Sequence, residues 1–326
     1  MNEAVAVAHP NIALAKYWGK RAGEGNFPAV PSLSVTLAGL STRTRVAFQS
    51  ELREDRFELD GEKDEGERRA RVTALLDRVR RAAGLSERAE VVSRNDFPTA
   101  SGLASSASGF AALALAAVRA AGLDWDASRV SDLARRSSAS AARSVFGGWV
   151  ELDATEADVL AARQLAPPEH VDWRVLVAVT SEGKKALGST EGMRATAADS
   201  PYYEAWLTLA PRLAREQRQA LLARDFERFG ALAEQSAFAM HACAIAAGVV
   251  YWSGATLEAL GAVRALRTRG TPAFATVDAG PHVKALVRGE DAALAGTWLR
   301  AVPGVIRVIE SSAGGGARVG TCQEGP

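Results

Sequence analysis

Four short segments of this 326-residue chain set acids, cations or hydroxyls in patterns that suit proton transfer or anion binding. Asp278-Ala-Gly-Pro-His282 follows the apolar run Phe274 to Val277, so an acid stands at the end of a strand-like stretch. An acid there could orient or accept a proton, and the same text also reads as an ordinary turn. Asn11-Ile-Ala-Leu-Ala-Lys16-Tyr-Trp-Gly-Lys20 sets two lysines four residues apart beside two aromatics. They could bind phosphate, or lie on the surface over buried aromatic stems. In Ser137-Ser-Ala-Ser-Ala-Ala-Arg143-Ser144 a run of small residues ends on one arginine. Its guanidinium could grip a carboxylate or phosphate in two-point fashion and cannot lose its charge; a tight helix contact with a solvated arginine would look the same. Pro98-Thr-Ala-Ser101-Gly102-Leu103-Ala104-Ser105-Ser106 opens a helix-like segment. Glycine permits close backbone approach, and serine hydroxyls beside free helix N–H groups make an anion cradle. A Gly/Ser-capped core helix is the alternative. The segment is neither a Walker A loop nor GxGxxG.

Elements must bring these segments together. Val35 to Phe48 reads as strands with a turn between them, and Val72, Leu75, Leu76 and Val79 form an apolar stripe of helical spacing within Arg71 to Ala83. Ala104 to Ala121 suits a helix buried on most sides. Asp126 is an N-cap for a helix through Arg135. Trp149 to Leu152, Val175 to Val179, Phe274 to Val277 and Val305 to Ile309 read as strands, and Pro201 to Ala246 as helix. Residues 4–8 alternate too weakly to assign alone. This mixture is α+β, and the length suits two packed domains.

The formal net charge of +1 gives no broad basic surface, so no nucleic-acid partner is expected and an anionic ligand must meet a local cluster of donors. The N-terminus does not read as a signal peptide, and the apolar stretch around Phe110 to Val118 is far short of the roughly 20 residues a membrane span needs. Two cysteines, Cys243 and Cys322, cannot form a disulfide framework and suit a reducing, cytoplasmic setting. Four scattered histidines without HExxH argue against a zinc enzyme. His241 reads as a satisfied helix histidine, the tryptophans (Trp18, Trp125, Trp149 among them) as core anchors, and the Glu/Arg faces between Glu204 and Arg228 as solvated.

Taken in order, HPNIALAKYWGKR, PSLSVTL, NDFPTASGLASSASGFAALA, ARRSSASAARSVFGG, STEGM, MHA and DAGP resemble the diphosphomevalonate decarboxylase family of the GHMP kinase superfamily, from residue 9 to beyond residue 282. The resemblance implies a two-domain GHMP kinase fold. Its N-terminal domain (1–185) is of ribosomal-protein-S5 domain 2 type and carries the phosphate-binding loop. Its C-terminal domain (186–326) is an α/β sandwich, and the active site lies in the cleft between them. It implies ATP and Mg2+, a phosphorylated mevalonate as substrate and a homodimer. The catalytic set carried over is Asp278, Lys16 and Arg143. Substrate-side positions are Tyr17, Lys20, Ser138, Ser140 and Ser189. Ser101, Gly102, Leu103, Ala104, Ser105 and Ser106 are the ATP loop, with Ser105 or Ser106 near the magnesium.

The implied reaction makes chemical sense. A 3-hydroxy acid lacks a carbonyl β to its carboxylate, so loss of carbon dioxide has no electron sink until the tertiary hydroxyl becomes a phosphate leaving group. By the resemblance, Asp278 orients the hydroxyl, Lys16 neutralises charge beside it and Arg143 holds the carboxylate. A mevalonate 5-phosphate decarboxylase or a mevalonate-type 3-kinase would keep the same residues. The chain departs from the family pattern at Val30-Pro31, where Asn-Ser is usual. His282 stands for Asn, Ser137 and Ala139 for glycines, and Ala142 for Cys.

Overall fold

In the computed structural model, which describes residues 2–23, 25–97, 105–155, 157–183 and 187–320, the chain begins β1 (Glu3–Ala8), β2 (Asn11–Ala15), β3 (Ser32–Thr36), β4 (Thr42–Gln49), β5 (Arg56–Leu59) and β6 (Glu62–Lys63). It continues α1 (Glu67–Ala83), β7 (Arg88–Asn95), α2 (Ser105–Ala120), α3 (Ala127–Ser137), α4 (Ala141–Ser144), β8 (Trp149–Leu152) and β9 (Arg163–Ala166). The second half runs β10 (Trp173–Val179), α5 (Ser189–Asp199), α6 (Tyr203–Leu222), α7 (Phe226–Ala246) and α8 (Gly254–Thr268). It ends β11 (Ala273–Val277), β12 (Val283–Arg288), α9 (Ala292–Arg300), β13 (Arg307–Ser311) and β14 (Arg318–Gly320).

Three sheets result, in the orders β14-β1-β4-β7-β5-β6, β2-β3-β8-β9 and β11-β12-β10-β13. The weakly alternating residues 4–8 become β1 because β4 and β14 flank them on both sides, Val5 lying opposite Arg45 and Gly320. A partner more than 300 residues away leaves no mark on local periodicity. On the first sheet pack α1, by its stripe of Val72, Leu75, Leu76 and Val79, and the alanine-rich α2, buried along most of its length. Gly84 ends α1 in the left-handed region (φ 66°), its N–H returning to Arg80 O. Asp126 caps α3 as expected, accepting from Arg129 N–H.

Pro201 to Ala246 is two antiparallel helices. Arg224 turns the chain at φ 57°, and Asp225 caps α7 by accepting Arg228 N–H at 3.1 Å. The last strand of the third sheet starts at Arg307 instead of Val305, because Gly304 (φ 84°) and a Val305 N–H to Val302 O bond make a turn first. β10, on the N-terminal side of the 185/186 division, is hydrogen bonded between β12 and β13, while β14 joins the first sheet. A shared core joins the halves: Trp149 meets Trp173 and Phe229 edge-on at 5.4 Å, beneath β2, β3, α6 and α7. Trp18 is buried as expected, and Trp125 is half-buried under the Arg129 guanidinium. No described helix is long and apolar enough to cross a membrane. Cys243 is buried, 3.3 Å from Ser200 Oγ, and Cys322 lies outside the described residues.

Candidate active site

The acid of the DAGP segment is held by the hairpin that contains it. β11 is buried throughout and pairs with β12, Val277 opposite Val283. Gly280 N–H donates to Asp278 O at 2.7 Å, and Pro281 O accepts from Thr180 Oγ1 (3.0 Å) and Thr256 Oγ1 (2.7 Å). The turn is thereby tied to the ends of β10 and α8. Lys16 leaves β2, where its backbone N–H donates to Ser236 Oγ of α7. Its Nζ donates to Ala13 O at 2.8 Å and to Asp278 Oδ1 at 2.5 Å. The other carboxylate oxygen, Oδ2, is 3.0 Å from the Nζ of Lys284 in β12, a residue absent from the expected set. Its sequence signal was a single charge inside the apolar run Val283-Lys284-Ala-Leu-Val287.

Arg143 is the third of the expected residues. It is buried in α4, with Nε donating to Asn11 Oδ1 at 3.2 Å and a terminal nitrogen to Ser32 Oγ at 2.8 Å. Asn11 Nδ2 donates onward to Ser140 O and Ser144 Oγ, at 2.9 and 2.7 Å, binding β2 to the small-residue run. Asn11 and Ser32 carried no role in the sequence reading, although both lie in the matching motifs. Neutral acceptors leave the charge of Arg143 unpaired by any carboxylate salt bridge among the described residues.

Lys16, Arg143 and Asp278 line one cavity of about 400 Å³, so three distant stretches do converge. The same cavity is lined by the expected Tyr17, Lys20, Ser138, Ser140 and Ser189, together with Arg71 and Thr190, which were not expected. Lys20 Nζ is aimed by Asn26 Oδ1 (2.8 Å) and Thr190 Oγ1 (3.1 Å). Ser138 and Ser140 hydroxyls are 3.1 Å apart. Ser189 begins α5, and the Tyr17 hydroxyl is buried with no hydrogen-bond partner among the described residues. His282 does not line this cavity; it is buried, and its Nδ1 accepts Thr180 N–H at 3.2 Å, which stiffens the turn.

A second cavity of about 210 Å³ adjoins the first, since Arg71 and Ser106 line both. Its walls are apolar (Phe57, Leu59, Val72, Val91, Phe110), and Ser105 and Ser106 stand at the start of α2. A flat aromatic base fits such walls, with its phosphates toward the helix start. Arg71 donates to Ser137 O at 2.8 Å and lies over the Phe110 ring. Ser101, Gly102, Leu103 and Ala104 lie outside the described residues. Among the described residues no group of three His, Cys, Asp or Glu could hold a metal. A cation here would depend on ligand phosphates and serine hydroxyls.

Burial governs the electrostatics. It lowers Lys16 to about 8, Lys284 adding to the effect and Asp278 opposing it. Burial works to raise Asp278, but Lys16 and Lys284 outweigh it and hold the carboxyl well below the usual range. Arg143 comes down to about 10, and burial pushes the Tyr17 phenol up. Lys20 is lowered by burial and then by Arg71 and Arg194. His241 is lowered to about 4 by burial, then Lys16; its Nε2 lies 3.2 Å from Val277 O, but Nδ1 is buried with no hydrogen-bond partner among the described residues, so the expected satisfied histidine is only half satisfied.

Known proteins match this arrangement along most of the chain. Residues 8–162 match the diphosphomevalonate decarboxylase-like N-terminal domain, and residues 175–303 the mevalonate 5-diphosphate decarboxylase C-terminal domain. A phosphomevalonate decarboxylase of Haloferax volcanii is 37% identical over 86% of this chain and 87% of its own. The mevalonate diphosphate decarboxylase of Staphylococcus aureus superposes with a TM-score of 0.93 at 34% identity, over 98% of both chains. A solved complex of MDDEF with MVAPP, AMPPCP and magnesium gives 0.91 at 36% identity, again over 98% of both. The α+β architecture with paired N- and C-terminal domains is that of the GHMP kinase fold, and the chain belongs to the diphosphomevalonate decarboxylase family.

Proposed function

We propose that this chain catalyses the ATP-dependent decarboxylation of mevalonate 5-diphosphate, giving isopentenyl diphosphate, ADP, phosphate and carbon dioxide. The observation that carries this reading is an ionised aspartate clamped by lysines in the same cavity as a buried arginine that, among the described residues, no carboxylate pairs. Asp278 orients the tertiary hydroxyl and accepts its proton as the oxygen takes the phosphoryl group. Lys16 stabilises charge on the transferring group. Arg143 holds the substrate carboxylate until the C–O bond breaks, when the electrons of the departing carboxylate's C–C bond form the alkene. Tyr17, Lys20, Ser138, Ser140 and Ser189 take the 5-diphosphate, and the α2 start with Ser101 to Ser106 takes ATP. Magnesium, when bound, neutralises nucleotide phosphate charge beside Ser105 or Ser106.

Arg71 and Arg194 both act electrostatically on Lys20, and such a density of cations suits a diphosphate. The Haloferax volcanii relative favours a second reading, in which the 5-monophosphate is the substrate. A homodimer, a cytoplasmic location and the two-domain division at 185/186 belong to the same proposal, on family resemblance. The test is to incubate the protein with ATP, magnesium and, in turn, mevalonate, its 5-phosphate and its 5-diphosphate, following ADP and carbon dioxide. Equal release of both with the diphosphate is expected. Preference for the monophosphate supports the second reading, and ADP without carbon dioxide contradicts both.

A further inference from the structure

Lys284 stands where a strand residue should be apolar. β12 alternates, and Val283, Ala285 and Val287 face the core under α8 and α9. Lys284 shares the opposite face with Leu286, which packs in the core common to both halves of the molecule. It is 1% exposed, and its cross-strand neighbours are Thr276 and Val177. Burying an ammonium there costs several kcal/mol unless it is paired. Its partners are Asp278 Oδ2 at 3.0 Å and, at 3.4 Å, His282 O. Asp278 already has a cation, since Lys16 holds Oδ1. A second buried lysine is therefore surplus to neutralising the acid, and a methionine of similar length would fill the space without the desolvation cost.

We propose that Lys284 is a positioning residue of the reaction: by taking the second oxygen of Asp278 it fixes the plane in which the carboxylate meets the tertiary hydroxyl. The proposal rests on the reading of Asp278 given above. One anchor leaves a carboxylate free to rotate about its Cβ–Cγ bond; anchors on both oxygens do not. A carboxylate can accept at about four lone-pair positions, so room remains for the substrate hydroxyl. Asp278 keeps a quarter of its side-chain surface open. The same ammonium also acts on Lys16. The charged and titratable groups that act on Lys16 are Asp278 of the hairpin, Lys284 of β12, Arg143 of α4 and His241 of α7.

The experiment compares K284M and K284R with the unaltered protein. For K284M, kcat should fall on the order of 10- to 100-fold with KM changed far less, as a misplaced reacting group requires. The melting temperature should hold or rise, because a buried charge has gone. The alkaline limb of the rate profile, set by Lys16, should move to higher pH, since a like charge beside Lys16 is removed. K284R, which keeps the charge, should leave that limb in place; an upward move in K284R would overturn the idea. So would a folded K284M with unchanged kcat, or one whose rate falls while the limb stays. Lysine Nζ NMR titration of the same proteins reads Lys16 without turnover. A rise of its midpoint in K284M, in a protein that forms no carbon dioxide from any mevalonate derivative, would keep the clamp and discard the reaction.

Discussion

Two carboxylates in this molecule, buried Asp55 and half-buried Asp278, are built to opposite ends. Asp55 accepts both terminal nitrogens of Arg80, at 2.9 and 2.8 Å, and also Ala89 N–H at 2.8 Å. It is 4% exposed and lines neither of the two site cavities, and its guanidinium partner is shared with a second acid, Asp77, at 2.6 Å. Asp278 meets two lysines, with Arg143 close enough to act on it electrostatically, and it opens onto a cavity. At Asp55 no positive charge is left over and the hydrogen bonds are closed. At Asp278 positive charge is in excess and surface is left open, so the cluster is completed only by an anion that comes from outside. Buried charge that is fully paired marks structure, and buried charge left out of balance beside a cavity marks a site.

That contrast can be broken by exchanging effects. Asp278→Asn should lower kcat per folded molecule about 10²- to 10⁴-fold in an ADP-release assay, with some loss of stability in circular dichroism melting because Lys16 and Lys284 stay buried without their carboxylate. Asp55→Asn should cost stability alone, lowering unfolding free energy by about 1–3 kcal/mol in urea, because the buried two-point pair with Arg80 is lost and only the Asp77 contact remains. Turnover per folded molecule should stay near normal. If Asp55→Asn slows turnover of the folded enzyme as much as Asp278→Asn, the two acids do not differ in kind.

The difference was only half legible in the sequence. Asp278, Lys16 and Arg143 each sit in a segment whose neighbours, DAGP, KYWGK and the small-residue run, are unusual enough to be recognised. Their convergence followed from the resemblance, because no local pattern says that the end of β2, α4 and the β11–β12 turn meet. Lys284 escaped because a lysine letter is the same whether its ammonium lies in water or against a carboxylate. Asn11 escaped for a related reason: its work, joining Arg143 to Ser140 and Ser144, is visible only when residues more than 120 apart are neighbours. The helices were easier, since the α1 stripe and the Asp126 cap are local. β1 was not, because its pairing with β14 closes nearly the whole chain.

The excess of positive charge around Asp278 is the claim on which the rest depends, and Lys16, lowered first by burial and further by Lys284 and Arg143, reports it through its response to a bound anion. Lysine Nζ resonances followed by NMR from about pH 6 to 11, with and without bound mevalonate 5-diphosphate, would give its midpoint. A folded-state midpoint lowered to about 8 means that Lys16 is charged below it and loses its proton as pH rises through it. The rate should fall over the same interval, while Asp278, held low by its lysines, stays ionised throughout. The account predicts a midpoint near 8 in the free protein that moves upward when the anionic substrate binds. A midpoint in the ordinary lysine range, unmoved by substrate, would contradict it.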